Sequence, residues 1–182
     1  MKHKAARHCR TKIADGEEAH NRQSETIKLL ICCATAVIVT FVLLCFIVGV
    51  AVVHGSSMVP ALQDGDLVIF LRINEKYMRG DIVLVKTDSV LQDHVKRICG
   101  MPGEKIGFTG TGEFTVNGNI FAEPYIFEST FAKRSVSTQL KLANKEYFVM
   151  GDHRGDSRDS RDYGAVAEDS IEGKVILIIR GG

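Results

Sequence analysis

Net charge is nearly absent from this 182-residue chain: 23 basic side chains face 22 acidic ones, a formal balance of +1 at pH 7. Such a balance excludes the strongly basic surface with which proteins grip a phosphate backbone, so nucleic acid is not an expected partner. Cysteine is scarce where a staple would be needed. Cys9 lies near the start, Cys32, Cys33 and Cys45 lie in an apolar run, and Cys99 is alone in residues 54–182. No disulfide can form within that region, whose stability must come from packing. A region of about 130 residues can bury about two thirds of its unfolded surface, which is enough for a core. Repeats and low-complexity segments are missing too. The acidic stretch Asp152 to Asp162 has no recognised metal-ligand spacing and is balanced by three arginines, so neither a metal nor a cofactor is expected.

Charge is also missing, completely, from Leu29 to Val53. These roughly 25 apolar positions exceed the roughly 20 that a helix needs to cross a bilayer, so one transmembrane helix over residues 29–53 is expected, with length to spare for tilt. A cleavable signal peptide also pairs a basic start with an apolar core, but that core usually spans only about 7 to 15 residues. Arg10, Lys12, Arg22 and Lys28 closely precede the run, whereas Arg72 is the first lysine or arginine after it. The asymmetry predicts a cell-membrane protein with a cytoplasmic tail over residues 1–28 and an extracytoplasmic domain over residues 54–182. The tail is polar, mixed in charge and without apolar periodicity, and reads as flexible.

Beyond the run the pattern changes to short branched-residue segments broken by glycine and aspartate. Strands are predicted at Leu67–Leu71, Ile82–Val85, His94–Ile98, Glu113–Val116, Tyr147–Met150 and Lys174–Ile179. Asn117-Gly118 reads as a hairpin turn, Met101-Pro102-Gly103 as a type II turn, and Phe127 to Gln139 as a loop. Helical periodicity is absent outside the apolar run, apart from a weak trace around Ala167 to Ile171. The expected fold is mainly β: a coiled antiparallel, barrel-like sheet behind one N-terminal transmembrane helix.

Gly55-Ser56-Ser57-Met58-Val59-Pro60-Ala61-Leu62 follows the apolar run by two residues, so any chemistry at Ser57 takes place close to a membrane surface. A serine hydroxyl needs a base. His54, His94 and His153 are the histidines of the outer region, and a Ser-His-Asp triad built from one of them is conceivable. A neutral lysine can do the same work if burial depresses its pKa by roughly three units, at a cost of about 4 kcal/mol. Lys96, on a predicted strand, shares its face with Ile98 while Val95 and Arg97 take the other. The plain alternative is an exposed basic pair, Lys96 and Arg97, and spacing alone does not decide between them.

Ser57-Met58-Val59-Pro60-Ala61-Leu62, Gly80-Asp81-Ile82-Val83, Val95-Lys96-Arg97 with Gly100-Met101-Pro102-Gly103-Glu104, and Gly151 to Arg161 together resemble, in order, the conserved boxes of the bacterial type I signal peptidases. The resemblance implies a membrane-bound serine endopeptidase that acts on secretory preproteins with Ala-x-Ala cleavage sites, with Ser57 as nucleophile and Lys96 as general base. It also implies that Ser157 orients the lysine amine, that Asp159 and Arg161 form a buried pair beneath it, and that Asp152 is a further brace. Met58, Leu62 and Val95 match positions that line the pocket for the residue before the cut. Gly55 stands where some members carry a serine for the oxyanion hole, as in the short Gram-positive forms. Ala61, His153, Gly155 and Asp156 depart from the family's Thr, Asn, Asp and Asn. Two other readings stand beside this one. A tethered β-domain that binds without cutting is the competing class, and Arg154-Gly155-Asp156 matches an adhesion tripeptide.

Overall fold

The computed structural model describes residues 2–73, 76–86, 94–133 and 139–181, with side chains described from residue 25 onward. It divides into two units, Met1–Phe46 and Ile47–Gly182.

The first unit is helical: α1 spans Lys2–Ile47. Residues 2–28, expected as a flexible tail, are thus part of this helix. They contain no proline and are rich in Ala, Glu, Lys and Arg, residues that pay little to be helical. Within α1, Glu25–Ile47 is long and apolar enough to cross a membrane; its 23 residues at about 1.5 Å each match a hydrocarbon core of about 30 Å.

The helix stops six residues short of the end of the apolar run. Val48–Val52 form strand β1 instead, which corrects the expectation of a helix to residue 53. Gly49 weakens a helix, while Val48, Val50 and Val52 are branched residues at a period of two. Their pairing with β2, Leu67–Leu71, in the register Val48↔Leu71 to Val52↔Leu67 satisfies backbone groups that the helix would have used. The tether between helix and Ser57 therefore grows from four residues to ten.

The second unit is mainly β. Its strands continue as β3 Ile82–Val85, β4 His94–Gly100, β5 Lys105–Phe108, β6 Phe114–Val116, β7 Asn119–Ile120, β8 Gln139–Lys141, β9 Glu146–Met150, β10 Val166–Ala167 and β11 Ile171–Ile179, with the short helix α2 at Ser160–Tyr163 between β9 and β10. A curled antiparallel half-barrel sheet of seven strands has the order β1-β2-β11-β3-β4-β9-β10, and a four-stranded sheet has the order β7-β6-β5-β8. The helical periodicity at Ala167 to Ile171 resolves into the end of β10, a single 3-10 turn over Glu168–Ser170 and the start of β11. The loop expected over Phe127 to Gln139 has no regular structure up to Lys133, ends in β8, and otherwise lies outside the described residues.

Three apolar clusters fill this unit. Val53, Met58, Leu62, Val68, Phe70 and Leu84 pack beneath the Ser57 turn. Val83, Ile98, Val149 and their neighbours fill the middle of the large sheet. Phe114, Phe148, Leu142 and Ile106 form the third, with Phe114 and Phe148 stacked 6.4 Å apart.

Candidate active site

Ser57 is set by the turn around it. Leu62 N–H donates to Met58 O at 2.9 Å and Val59 N–H to Ser56 O at 3.0 Å, closing the chain on itself. Met58 and Leu62 are the buried anchors of this turn, so the apolar members of the box hold it down while Ser57 stays half-exposed. Gly55, with φ +83, occupies the left-handed region that glycine enters without steric cost, and its N–H donates to Asp64 Oδ1 at 2.7 Å. The Ser56 hydroxyl donates to the Asp156 carboxylate. Both residues ahead of the candidate nucleophile are thus engaged in shaping the turn.

Lys96 reaches this serine from β4. Its Nζ lies 2.8 Å from Ser57 Oγ and donates to Val95 O at 3.0 Å. Only 1% of the residue is exposed. Burial pushes the amine down from 10.5 to about 8, against the opposing pull of Asp159 and Asp152. The exposed basic pair considered from the sequence is therefore not what the chain forms.

Arg97, the next residue on the strand, explains where the other positive charge goes. Its guanidinium donates through Nε and Nη2 to both oxygens of Asp152 at 2.8 and 2.6 Å, and through Nη1 to Gly80 O at 2.8 Å. It also lies over the Tyr125 ring at 4.4 Å. A second pair sits nearby: Arg161 donates to both oxygens of Asp159 at 2.9 and 2.8 Å and to Arg154 O at 2.8 Å. Gly151 N–H also donates to Asp159 Oδ2 at 3.0 Å. Burial alone would raise the Asp159 carboxyl, but Arg161 and the Gly151 amide hold it below its ordinary value. Asp159 is in addition the N-cap of α2.

Gly151 lets this loop approach the nucleophile. A Cβ there would stand 2.4 Å from Ser57 O and 2.2 Å from Ser157 Oγ, contacts that real atoms do not make. His153 N–H donates to the same Ser57 carbonyl at 3.1 Å. Ser157 is buried, and its hydroxyl makes no hydrogen bond to Lys96 among the described residues. It lies close enough to Asp159 to help lower that carboxyl.

A cleft runs beside Ser57, between Val52 to His54, where β1 ends and the Ser57 turn begins, and the start of β4 (His94 to Lys96), with Met58 in its wall. Val95 lines it too, whereas Leu62, wholly buried, supports Met58 from below. His54 and His94 border this cleft, but the side chain in contact with the Ser57 hydroxyl is the Lys96 amine. His153 turns its Nε2 to Glu128 at 3.2 Å. The adhesion tripeptide is ruled out by burial, because Arg154 is 1% exposed and its guanidinium is clamped by Glu123 and Thr130.

Nothing in the sequence marks Glu123, Tyr125 and Thr130 as members of this site, since they lie in an irregular segment between β7 and β8. Arg97 is visible there only as the neighbour of Lys96. Its role as partner of Asp152 has a signal, a charged residue beside a candidate base, but strand alternation says nothing of what its own face meets.

A family model for signal peptidase, peptidase S26, matches residues 25–180. The chain belongs to the signal peptidase S26 family of serine peptidases. Among curated relatives, signal peptidase I of Bacillus amyloliquefaciens is 36% identical over 66% of this chain and 68% of its own. Signal peptidase I T of Bacillus subtilis is 34% identical over 76% and 77%, and signal peptidase IB of Staphylococcus aureus is 31% identical over 84% and 88%. A solved signal peptidase I from Enterococcus faecalis aligns with 57% of this chain and 98% of its own at 27% identity and a TM-score of 0.47.

Proposed function

We propose that this signal peptidase family member is a membrane-bound endopeptidase that removes signal peptides from exported preproteins through a Ser57–Lys96 dyad. The 2.8 Å approach of Nζ to Oγ, made by an amine with almost no access to water, carries the reading. In its neutral form Lys96 accepts the Ser57 proton as Oγ attacks the scissile carbonyl, and then returns a proton to the leaving amine. Water, activated by the same amine, next hydrolyses the acyl-enzyme. The Ser57 N–H is the main-chain donor proposed for the oxyanion. Gly55 has no hydroxyl to add and its own N–H is given to Asp64. Asp152, Asp159 and Arg161 serve as braces. Ser157, whose hydroxyl is buried beside Asp159, is assigned to aiming the lysine.

The substrate is an extended preprotein segment laid along β1 and β4. Met58 and Val95 give the cleft an apolar wall suited to a small side chain before the cut, with Leu62 behind, which favours Ala-x-Ala sites. Efficient cutting after leucine or phenylalanine would count against this pocket.

The anchor is assigned to the apolar part of α1 and the lipid bilayer is its partner, with the basic flank on the cytoplasmic side and the β unit outside. In protoplasts, added protease should digest the β unit while an N-terminal tag survives; protection of both would reverse the orientation. The deciding experiment for function is incubation of the purified full chain and its Ser57→Ala variant with a secretory preprotein in detergent. Site-specific cleavage by the first alone is expected, and equal behaviour of the two would favour a binding module.

A further inference from the structure

His153, Gly155 and Asp156, the three departures within the Gly151 to Arg161 box, belong to one connected set of contacts. A single carboxylate meets two of them: Glu128 Oε1 lies 3.2 Å from His153 Nε2, and Glu128 Oε2 accepts from Gly155 N–H at 2.8 Å. The third, Asp156, accepts from the Ser56 hydroxyl and donates its own N–H to His153 O at 3.2 Å. His153 N–H then holds Ser57 O at 3.1 Å. The contacts therefore run without a gap from Glu128 to the backbone of the nucleophile.

Gly155 and Glu128 fit one another. A Cβ on residue 155 would stand 3.0 Å from Glu128 Oε2, and the aspartate of the family pattern would bring a second carboxylate against the first. The segment that carries Glu128 is itself anchored on both sides. Glu123 Oε1 accepts from Arg154 Nη2 at 2.7 Å, and Lys133 Nζ donates to Ser157 O at 2.5 Å. Glu128 thus acts from a braced support, although its side chain is 45% exposed.

We propose that Glu128 is a positioning residue for the peptidase reaction, clasping the turn at residues 153–156 so that it holds the Ser57 backbone in register with Lys96. The inference rests on Ser57 being the nucleophile. A half-exposed contact of this kind adds little to stability. A misplacement of about 1 Å at a nucleophile, in contrast, can cost about a hundredfold in rate. Loss of the clasp should therefore appear in kcat and hardly in Tm.

The test uses the full chain in detergent with a signal-peptide substrate and compares Glu128→Ala, Gly155→Asp and the double variant. Each single change should lower kcat about tenfold with KM within about twofold, because either one removes the clasp. The double variant should be no worse than either single one, since an aspartate at 155 meets no carboxylate once Glu128 is gone. Glu128→Gln, which keeps an oxygen for Gly155 N–H, should retain at least about a third of kcat. Wild-type kcat in Glu128→Ala, additive losses in the double variant, or a glutamine variant no better than the alanine one would each overturn the proposal. If Glu128→Ala is poorly folded, the kcat values of Gly155→Asp and Glu128→Gln decide the matter: a loss in the first with retention in the second supports the clasp, and any other pairing overturns it. Ser57→Ala runs in the same assay, so a failure of the peptidase reading shows itself there, apart from any failure of the clasp.

Discussion

Both carboxylate oxygens of Asp152 accept from Arg97, through Nε and Nη2, and Arg97 directly follows Lys96 on β4. The ion pair therefore fixes the backbone that carries the amine, while its carboxylate is one of the two negative charges that pull the Lys96 pKa upward against burial. Asp152→Asn removes that charge and leaves Arg97 without its counter-ion. Breaking such a buried pair should cost about 3 to 5 kcal/mol in denaturant melts. In the variant that folds, the alkaline-rising limb of kcat/KM should move to lower pH. An unchanged limb would show that Asp152 acts on stability alone.

In the proposed dyad the base must be neutral to work, and the Lys96 amine is pushed down to about 8. Activity should then be low in acid and rise with pH, kcat/KM reporting a free-enzyme value near 8. Lys96→Arg should be nearly inactive across this range, because guanidinium stays protonated. Substantial cleavage by a folded Lys96→Arg chain would remove the dyad and return attention to His54, His94 and His153.

Burying the Lys96 amine weakens the fold, with a definite pH dependence. Because the folded pKa lies below the unfolded one, the unfolded chain binds the extra proton between about 8 and 10.5, and stability rises with pH across that window. Below it the penalty is constant, roughly 3 kcal/mol from the size of the shift. Lys96→Met, which fills similar space without a charge, should therefore be more stable than the parent at pH 7 and lose that advantage above pH 10.5. Denaturant midpoints at the two pH values would measure it.

Gly151→Ala places a methyl group between Ser57 O and Ser157 Oγ. The overpacked site should lose about 1 to 3 kcal/mol of stability. The displaced serine should lose about a hundredfold in kcat. Activity equal to wild type would mean that the loop can retreat from Ser57 without consequence.

Much of this was legible where local chemistry and tertiary environment agree. Leu67–Leu71 and Ile82–Val85 are strands with the bounds expected of them, because branched apolar residues and the turn residues on either side point the same way. Val48–Val52 misled, since a run of valines satisfies the lipid criterion and the strand criterion alike, and only its pairing with Leu67–Leu71 decides. The short strands Asn119–Ile120 and Val166–Ala167 carry too few residues for a period to show. In the site, Ser57 and Lys96 could be found because a rare chemical requirement, a buried amine beside a hydroxyl, falls within recognisable motifs. Glu123 and Glu128 could not, as their meaning comes entirely from the loop they face across a long sequence separation.

Strand β11 lies between β2 and β3 in the large sheet, pairing with both, yet it follows every other strand in the chain. Until Ile171–Ile179 arrive, the hairpin-like pair bearing the Ser57 turn has no edge in common with the strands bearing Lys96. A growing chain emerges at about 5 to 20 residues per second, so Ser57 and Lys96 are both made several seconds before the strand that joins their halves of the sheet. The topology thus works as a built-in delay: on the proposed dyad reading, a chain in which β11 has not yet docked between β2 and β3 has no assembled site.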